Sequence, residues 1–198
     1  MSATVRTSLT LPLRLCGWSG IAEVHTFDGL ADGGEHLAIR LGSPGAVPLV
    51  RVHSECLTGD VLGSERCDCG PQLHEAVRRV AASGGYLLYL RQEGRGIGLY
   101  AKLDAYALQD GGLDTYEANL ALGYAADARD YTAAAQMLSA LGVSRLSLLS
   151  NNPDKASQLA AHGLDVDLVP TAVHLSSANA RYLATKARGG HTLLSDAG

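Results

Sequence analysis

Pro71-Gln-Leu-His-Glu-Ala-Val-Arg-Arg-Val-Ala-Ala-Ser-Gly-Gly-Tyr-Leu-Leu-Tyr-Leu90 is the stretch on which the fold turns. Pro71 suits a first helical position, where its missing N–H would lack a partner anyway. Leu73, Ala76, Val77, Val80 and Ala81 recur at helical spacing, and Gly84-Gly85 supplies the stop. The run from Tyr86 to Leu90 has no polar alternation, the pattern of a strand covered on both faces. Upstream, His36 to Leu41 and Pro48 to His53 read as short strands set off by turn-rich segments such as Ala31-Asp-Gly-Gly34, which predicts an antiparallel, partly open sheet. Downstream, helices and strands alternate. A helix is expected over Ile97 to Gln109, ended by Gly111-Gly112, and another over Tyr131 to Leu141, capped by Asp130 with Gly142 beyond it. Arg145 to Leu149 follows as a strand. Asn152 as cap, Pro153 in the first turn and Gly163 as terminator frame one more helix, leading to a strand at Val166 to Val169. The class is α/β, with α+β character in the N-terminal third: a mixed sheet with antiparallel strands first, then alternating helices and strands.

The 198 residues suit a single domain over 1–198, with no repeat, low-complexity tract or polar linker, and leave no room for a fused second enzyme. Hydrophobic residues make up 46% and charged ones 18%, below the usual ~25%, so the chain can bury a sizeable core. A net charge of −4 argues against a generic basic surface, so neither nucleic acid nor membrane is expected as a partner. Thirteen of the 16 basic residues are arginine, and any polyanion must be met by a local pocket. No apolar run approaches the ~20 residues that span a bilayer. Ser8 to Gly17 alternates polar with apolar residues around Pro12 and Arg14, unlike a signal peptide, so a cytoplasmic protein is expected.

Three of the four cysteines fall close together, as Cys56 and Cys67-Asp-Cys69. In a reducing compartment such a cluster marks metal rather than disulfides. Zinc takes thiolates in a tetrahedral array; a structural site fills all four positions, whereas a catalytic one keeps the fourth for water. Three cysteines suit an open site, but His53, set apart from Cys56 by the two-residue gap of zinc hairpins, could close it, with His74 a weaker candidate. Cys16 stands apart and reads as a buried small hydrophobe.

Arg91-Gln-Glu-Gly-Arg-Gly-Ile-Gly98 follows the buried strand and opens a helix. Glycines there let backbone N–H groups approach an anion, although a plain tight turn with solvated Glu93 and Arg95 would look the same. The spacing of Gly94, Gly96 and Gly98 is not the dinucleotide fingerprint, and no Gly-Lys-Ser/Thr phosphate loop occurs. Asp127-Ala-Arg129 offers a carboxylate and a guanidinium two residues apart, either a site pair or a solvated charge pair at a helix start. Lys155 lies in a first helical turn, against the helix dipole, which an anionic ligand would explain and simple exposure would also allow.

Taken together, these pieces resemble the GTP cyclohydrolase II family, zinc enzymes of riboflavin synthesis. The resemblance is carried by Arg51-Val-His-Ser-Glu-Cys-Leu-Thr-Gly-Asp60, Arg66-Cys-Asp-Cys-Gly70, Gln72-Leu73, Arg91 to Arg95 with Ile97-Gly-Leu99, and Ala105-Tyr-Ala-Leu-Gln-Asp110. Asp114-Thr115 with Glu117-Ala-Asn119, Ala125-Ala-Asp127 with Arg129-Asp130, and Asn151-Asn-Pro153 with Lys155 extend it. It covers roughly residues 36 to 165; Tyr182-Leu183, Thr185-Lys-Ala187 and Gly190-His191 also look like the family's C-terminal end, and the first 35 residues match loosely. The resemblance implies Cys56, Cys67 and Cys69 as ligands of one zinc per chain. It places the nucleotide against Arg51, Val52, His53, Ser54, Glu55, Gln72, Glu93, Gly94, Arg95, Thr115, Ser150 and Lys155. Asp127 matches the proton acceptor, Arg129 the proposed nucleophile toward the α-phosphate, and Tyr106 a tyrosine beside the purine. Ser150 stands where many relatives have threonine, and Gly96 where many have asparagine; serine keeps the hydroxyl, and Gly96 loosens the turn.

The activity so implied is hydrolysis of GTP to a diaminopyrimidine ribosylamino phosphate, with formate leaving from C8 and pyrophosphate released. Glu93 or Glu55 would accept from guanine N1–H and the exocyclic amine, while Arg51, Arg95, Arg129, Lys155 and Mg2+ would meet the triphosphate. A guanidine pKa above about 12 makes transition-state clamping by Arg129 the milder alternative to covalent attack. A homodimer is also implied. Two rivals stand beside this reading: a diverged homologue that stops at ring opening or serves another pathway, and a non-catalytic nucleotide-binding module with a closed structural zinc site.

Overall fold

The computed structural model of the protein describes residues 3–125, 127 and 129–192. In chain order the elements are β1 (Thr4–Leu15), β2 (Trp18–Asp28), β3 (Leu37–Leu41), β4 (Leu49–Ser54), α1 (Leu57–Asp60), α2 (Cys69–Ser83) and β5 (Gly85–Leu90). A 3-10 turn at Glu93–Gly96 leads to α3 (Leu99–Asp110), α4 (Thr115–Ala121), α5 (Thr132–Ala140), β6 (Arg145–Leu149), α6 (Pro153–Ala161), β7 (Asp165–Val169) and α7 (Ala180–Arg188). The strands form one mixed sheet in the order β1-β2-β3-β5-β4-β6-β7. β1, β2, β3 and β5 pair antiparallel, and β5, β4, β6 and β7 pair parallel.

Each strand of the sheet's centre feeds two cores because successive side chains point to opposite faces. Leu88 and Leu90 of β5 join Val50 and Val52 of β4 under α5 and α6, whose Ala134, Met137, Leu138 and Leu159 are buried there. Leu87 and Tyr89 turn the other way, onto Leu73, Val77 and Val80 of α2. This double coverage is why Tyr86 to Leu90 reads as an unbroken apolar run.

The chain leaves β4 through α2 to reach β5 on one side, then crosses back over β4 to reach β6 on the other. Such a reversal opens a crevice at the carboxyl ends of the parallel strands, where α/β proteins bind ligands. The segments that follow β4, β5 and β6 are the three in which the sequence concentrates its motifs.

Several boundaries differ from expectation. Helix α2 begins at Cys69 rather than Pro71, which instead takes the third helical position, where its missing N–H again costs nothing. Helix α3 begins at Leu99 rather than Ile97 because Gly98, at φ 90° and ψ 169°, is non-helical and serves as its cap residue. The cap ahead of α5 is Tyr131, yet Asp130 does accept from the Thr132 N–H at 2.6 Å. Asn152 caps α6 as expected, accepting from Asp154 N–H at 3.1 Å. The β1–β2 hairpin, α4 and α7 lie outside what the pattern indicated. Cys16 is half-buried at the hairpin tip, where Cys16 and Gly17 at φ 55° and 81° supply the paired positive φ of a two-residue turn. Among the described residues no helix is long and apolar enough to cross a membrane.

Candidate active site

The first wall of the crevice is the end of β4. Arg51 and His53 point toward α2, while Val52 points into the opposite core and contributes its carbonyl, which accepts from Lys155 Nζ at 2.8 Å. Arg51 donates to Leu149 O at 3.0 Å and to Gln72 Oε1 at 2.7 Å, and its Nε has no partner among the described residues. His53 Nε2 lies 3.0 Å from Asp60 Oδ1, its ring stacks on Tyr89, and its buried Nδ1 has no partner among the described residues. Burial holds the His53 pKa below the usual imidazole range despite Asp60. Ser54 Oγ accepts from Gln92 at 2.8 Å, and Glu55 accepts from Arg91 Nε at 3.1 Å.

Cys56 caps α1, and Cys69 opens α2. With Cys67 they bring three Sγ atoms within 4.8 Å of one another, Cys56 and Cys67 at 3.7 Å. A tetrahedral ion with Zn–S of about 2.3 Å needs S···S edges of about 3.8 Å, so this donor set fits zinc. Gly59 makes the approach possible: a Cβ there would sit 2.9 Å from Cys67 Sγ and 3.2 Å from Cys56 Sγ. Among the described residues no His, Asp or Glu joins the cluster; His53 is held on Asp60 and His74 is not in the group. The three thiols face a cavity of about 100 Å³ also lined by Glu55, Glu93, Arg95, Tyr106, Thr115, Arg129 and Tyr182.

Behind the thiols lies Lys102, which sequence reasoning missed. Its buried ammonium donates to Cys56 Sγ at 3.1 Å and to Glu93 Oε1 at 2.8 Å. Glu93 also accepts from the N–H groups of Leu57 at 2.7 Å and Gly94 at 2.9 Å, so its carboxylate is already well supplied with donors. Tyr106 lies four residues on from Lys102 along α3, its hydroxyl 3.5 Å from Thr58 Oγ1, which is 3.7 Å from Cys56 Sγ. Burial pushes the Tyr106 pKa up.

A second cavity, of about 70 Å³, adjoins the first and shares Ser54, Cys69, Arg129 and Tyr182 with it. Arg51, Arg129, Lys155 and Lys186 line it, and among the described residues no carboxylate does. Gln72 lines it too, donating to Asp68 at 2.6 Å, as does Ser150, whose Oγ accepts from Asn152 N–H at 3.1 Å. Lys155 is 6% exposed, which removes the simple-exposure reading. Burial, then the nearby Arg51, Arg129 and Lys186, push its pKa well down. His191 closes the pocket with an Nδ1 that has no partner among the described residues; burial and the neighbouring cations push its pKa down to about 4. A buried concentration of like charge is costly, and a polyanion relieves it.

Asp127 and Arg129 form a close pair, Arg129 Nε donating to Asp127 Oδ1 at 2.9 Å and NH2 to Oδ2. Burial raises the Asp127 pKa, but Arg129 and Arg95 outweigh it and hold the carboxyl below its usual range. Arg129, although burial opposes its charge, is held firmly protonated by that partner. Asp127 faces an outer cavity, while Arg129 reaches all three. Arg95 stacks over Tyr116 at 4.6 Å, and its NH1, 3.7 Å from Asp127 Oδ2, has no hydrogen bond to the described residues. Its left-handed backbone is the sort of strain, roughly 1–3 kcal/mol, that collects at ligand clamps. Thr115 opens α4, fixed by the Asp114–Glu117 capping box.

The structure thus brings most of the sequence-selected residues to one crevice, with the Val52 side chain in the opposite core and Asp127 on an outer cavity, and adds Lys102, Tyr182, Lys186 and His191. The available signal was scarcity: the chain has only three lysines, Lys102, Lys155 and Lys186, and each is under 10% exposed at this site.

Thiols able to hold a metal, opening onto a cationic pocket at the carboxyl ends of parallel strands, mark a candidate active site of an α/β protein. The sequence profile described as GTP cyclohydrolase II matches residues 6–170. A Vibrio cholerae protein named GTP cyclohydrolase-2 is 53% identical over 177 residues, 87% of this chain and 89% of that protein. Proteins of the same name from Aliivibrio fischeri and Hahella chejuensis are each 52% identical, covering 87% and 98% of this chain and 88% and 94% of their own lengths. The chain belongs to the GTP cyclohydrolase II family and is an enzyme of that kind.

Proposed function

We propose that the protein hydrolyses GTP at C8 of the guanine ring, releasing formate and pyrophosphate and forming 2,5-diamino-6-(5-phosphoribosylamino)pyrimidin-4-one, the first committed step of riboflavin biosynthesis. The observation that carries this reading is the continuity of two cavities, one faced by three thiols and the other lined by four cations and, among the described residues, no carboxylate. The first accepts an electrophilic ring carbon beside a metal, and the second accepts a polyphosphate.

Cys56, Cys67 and Cys69 hold one zinc ion, which supplies Lewis acidity and a lowered pKa for water. Arg51, Arg129 and Lys155 bind the phosphates, assisted by Mg2+ and by Arg95. Gln72 and Ser150 stay as polar contacts along that tail, with His53 and Ser54 forming its floor, the Val52 carbonyl holding Lys155 beneath it, and Gly94 and Thr115 the opposite rim. Of the two candidate carboxylates, Glu55 reads guanine N1–H and the amine, because Glu93 already accepts from Lys102 and two backbone donors. Tyr106, beside the thiols, moves a proton at the purine. Asp127, ionised at neutral pH, accepts a proton at the phosphate end. Arg129 clamps the α-phosphate rather than attacking it, since its pairing with Asp127 favours the protonated guanidinium. The chain acts in this reading as one domain, in a cytoplasmic homodimer.

Incubating the zinc-loaded protein with GTP and magnesium should release formate and pyrophosphate in equal amounts. Neither product appearing would refute the reading, and a ring-opened product that keeps its formyl group would mark a diverged homologue.

A further inference from the structure

We propose that the C-terminal helix α7 is a wall of the substrate pocket and that Lys186 on it binds the substrate's phosphates. The proposal rests on the polyphosphate reading above and extends it to a helix beyond the stretch, residues 6–170, that matches the family profile.

Tyr182 of α7 lines both cavities, and Lys186 one turn further on lines the cationic one. Lys186 Nζ donates to Asp68 Oδ1 at 2.5 Å and sits 4.8 Å from the centre of the Tyr182 ring. Asp68 is the residue between two of the thiols, so this contact ties the end of the chain to the thiol turn across 118 positions. A buried structural ion pair would account for Asp68 and Lys186 alone. It does not account for Lys186 sharing a carboxylate-free cavity with Arg51, Arg129 and Lys155, where a fourth cation raises the cost of burying the other three. An ammonium has three donors, and among the described residues only one is taken here. A polyphosphate uses the others and converts the like-charge cost into binding. α7 is otherwise held by the buried Leu183 and by ion pairs such as Arg188–Asp114 at 3.0 Å, so bound phosphate also fixes the helix over the site.

The test is calorimetry on the zinc-loaded full chain with inorganic tripolyphosphate, GTP and guanosine. In Lys186→Gln, affinity for tripolyphosphate and GTP should fall about ten- to hundredfold, the worth of a charge-assisted hydrogen bond, with guanosine unchanged. Lys186→Arg should recover most of the loss. Since Lys186→Gln leaves Asp68 buried without a cation, a Lys186→Gln/Asp68→Asn double variant is measured beside it and should show the same selective loss at unchanged zinc content. Tripolyphosphate binding equal to wild type in a folded variant would overturn the proposal, as would an equal loss for guanosine. A wild-type protein that binds no tripolyphosphate refutes the anion pocket itself. One that binds it but leaves GTP intact refutes the reaction proposed above while sustaining the role of Lys186.

Discussion

Replacing Gly59 by alanine should weaken metal binding while leaving the metal-free protein folded. The new Cβ would lie 2.9 Å from Cys67 Sγ, 3.1 Å from Cys69 Cβ and 3.2 Å from Cys56 Sγ. Ordinary contact needs about 3.5 Å or more, so the sulfurs must retreat by roughly half an ångström. Metal–ligand distances tolerate only about 0.2 Å. Without metal the thiols can rotate away, so the strain falls on the metal-bound state. At the usual overpacking cost of about 1–3 kcal/mol, metal affinity should drop roughly five- to hundredfold. Chelator competition on the zinc form and titration of the metal-free chain with cobalt both read this directly. Gly70→Ala is the contrast: its Cβ would meet the Gly59 carbonyl at 2.5 Å, a backbone clash present with or without metal, so it should lower Tm in both states. Wild-type metal affinity in Gly59→Ala would refute the close-packed thiol cluster.

Lys102→Gln removes the charge donated to Cys56 Sγ; metal affinity should fall about ten- to hundredfold, and the sulfur-to-cobalt absorption of the substituted protein should shift, whereas an unchanged spectrum would count against the contact. Lys155→Met should raise the KM for GTP at least about tenfold and yet raise the thermal stability of the ligand-free protein, since it deletes a buried cation surrounded by like charge. Because the Lys155 pKa is lowered on folding, the unfolded chain binds more protons, so the wild type should recover stability relative to Lys155→Met as pH rises toward the ordinary lysine range. Asp127→Asn has the opposite sign: the depressed carboxyl stabilises the fold above its unfolded pKa, so the variant's deficit in urea denaturation at pH 7 should fade as pH falls below about 4.

The parallel half of the fold was legible because its signals are local. Asn152-Pro153 with Gly163 frames α6 through capping and turn chemistry that act within a few residues, and Arg145 to Leu149 matches β6 residue for residue. The thiol cluster was legible for the same reason, as two of its members are neighbours but one and the third lies 11 positions away. The long β1–β2 hairpin was not, although Ser8 to Leu15 alternates polar with apolar residues, because most of β1 stays exposed and the strand is held by pairing with β2 rather than by packing on a core. Helix α4 escaped notice behind Gly111-Gly112, although Asp114-Thr-Tyr-Glu117 carries the capping-box signature that announces it.

The sequence by itself determined the class of fold, the alternation of helices and strands after Pro71 and the motifs that carry the site, because periodicity, caps and spacing are short-range properties; the parallel pairing of β4, read with the antiparallel strands, came from the tertiary structure. Only the tertiary structure decided that His53 belongs to Asp60 rather than to the thiols, and that Glu93 is occupied by Lys102 while Glu55 is freer. It alone brought Lys186 to Asp68. Each of those outcomes depends on which groups, far apart in the chain, are buried together, and buried charges take whichever partners the packed elements leave within reach.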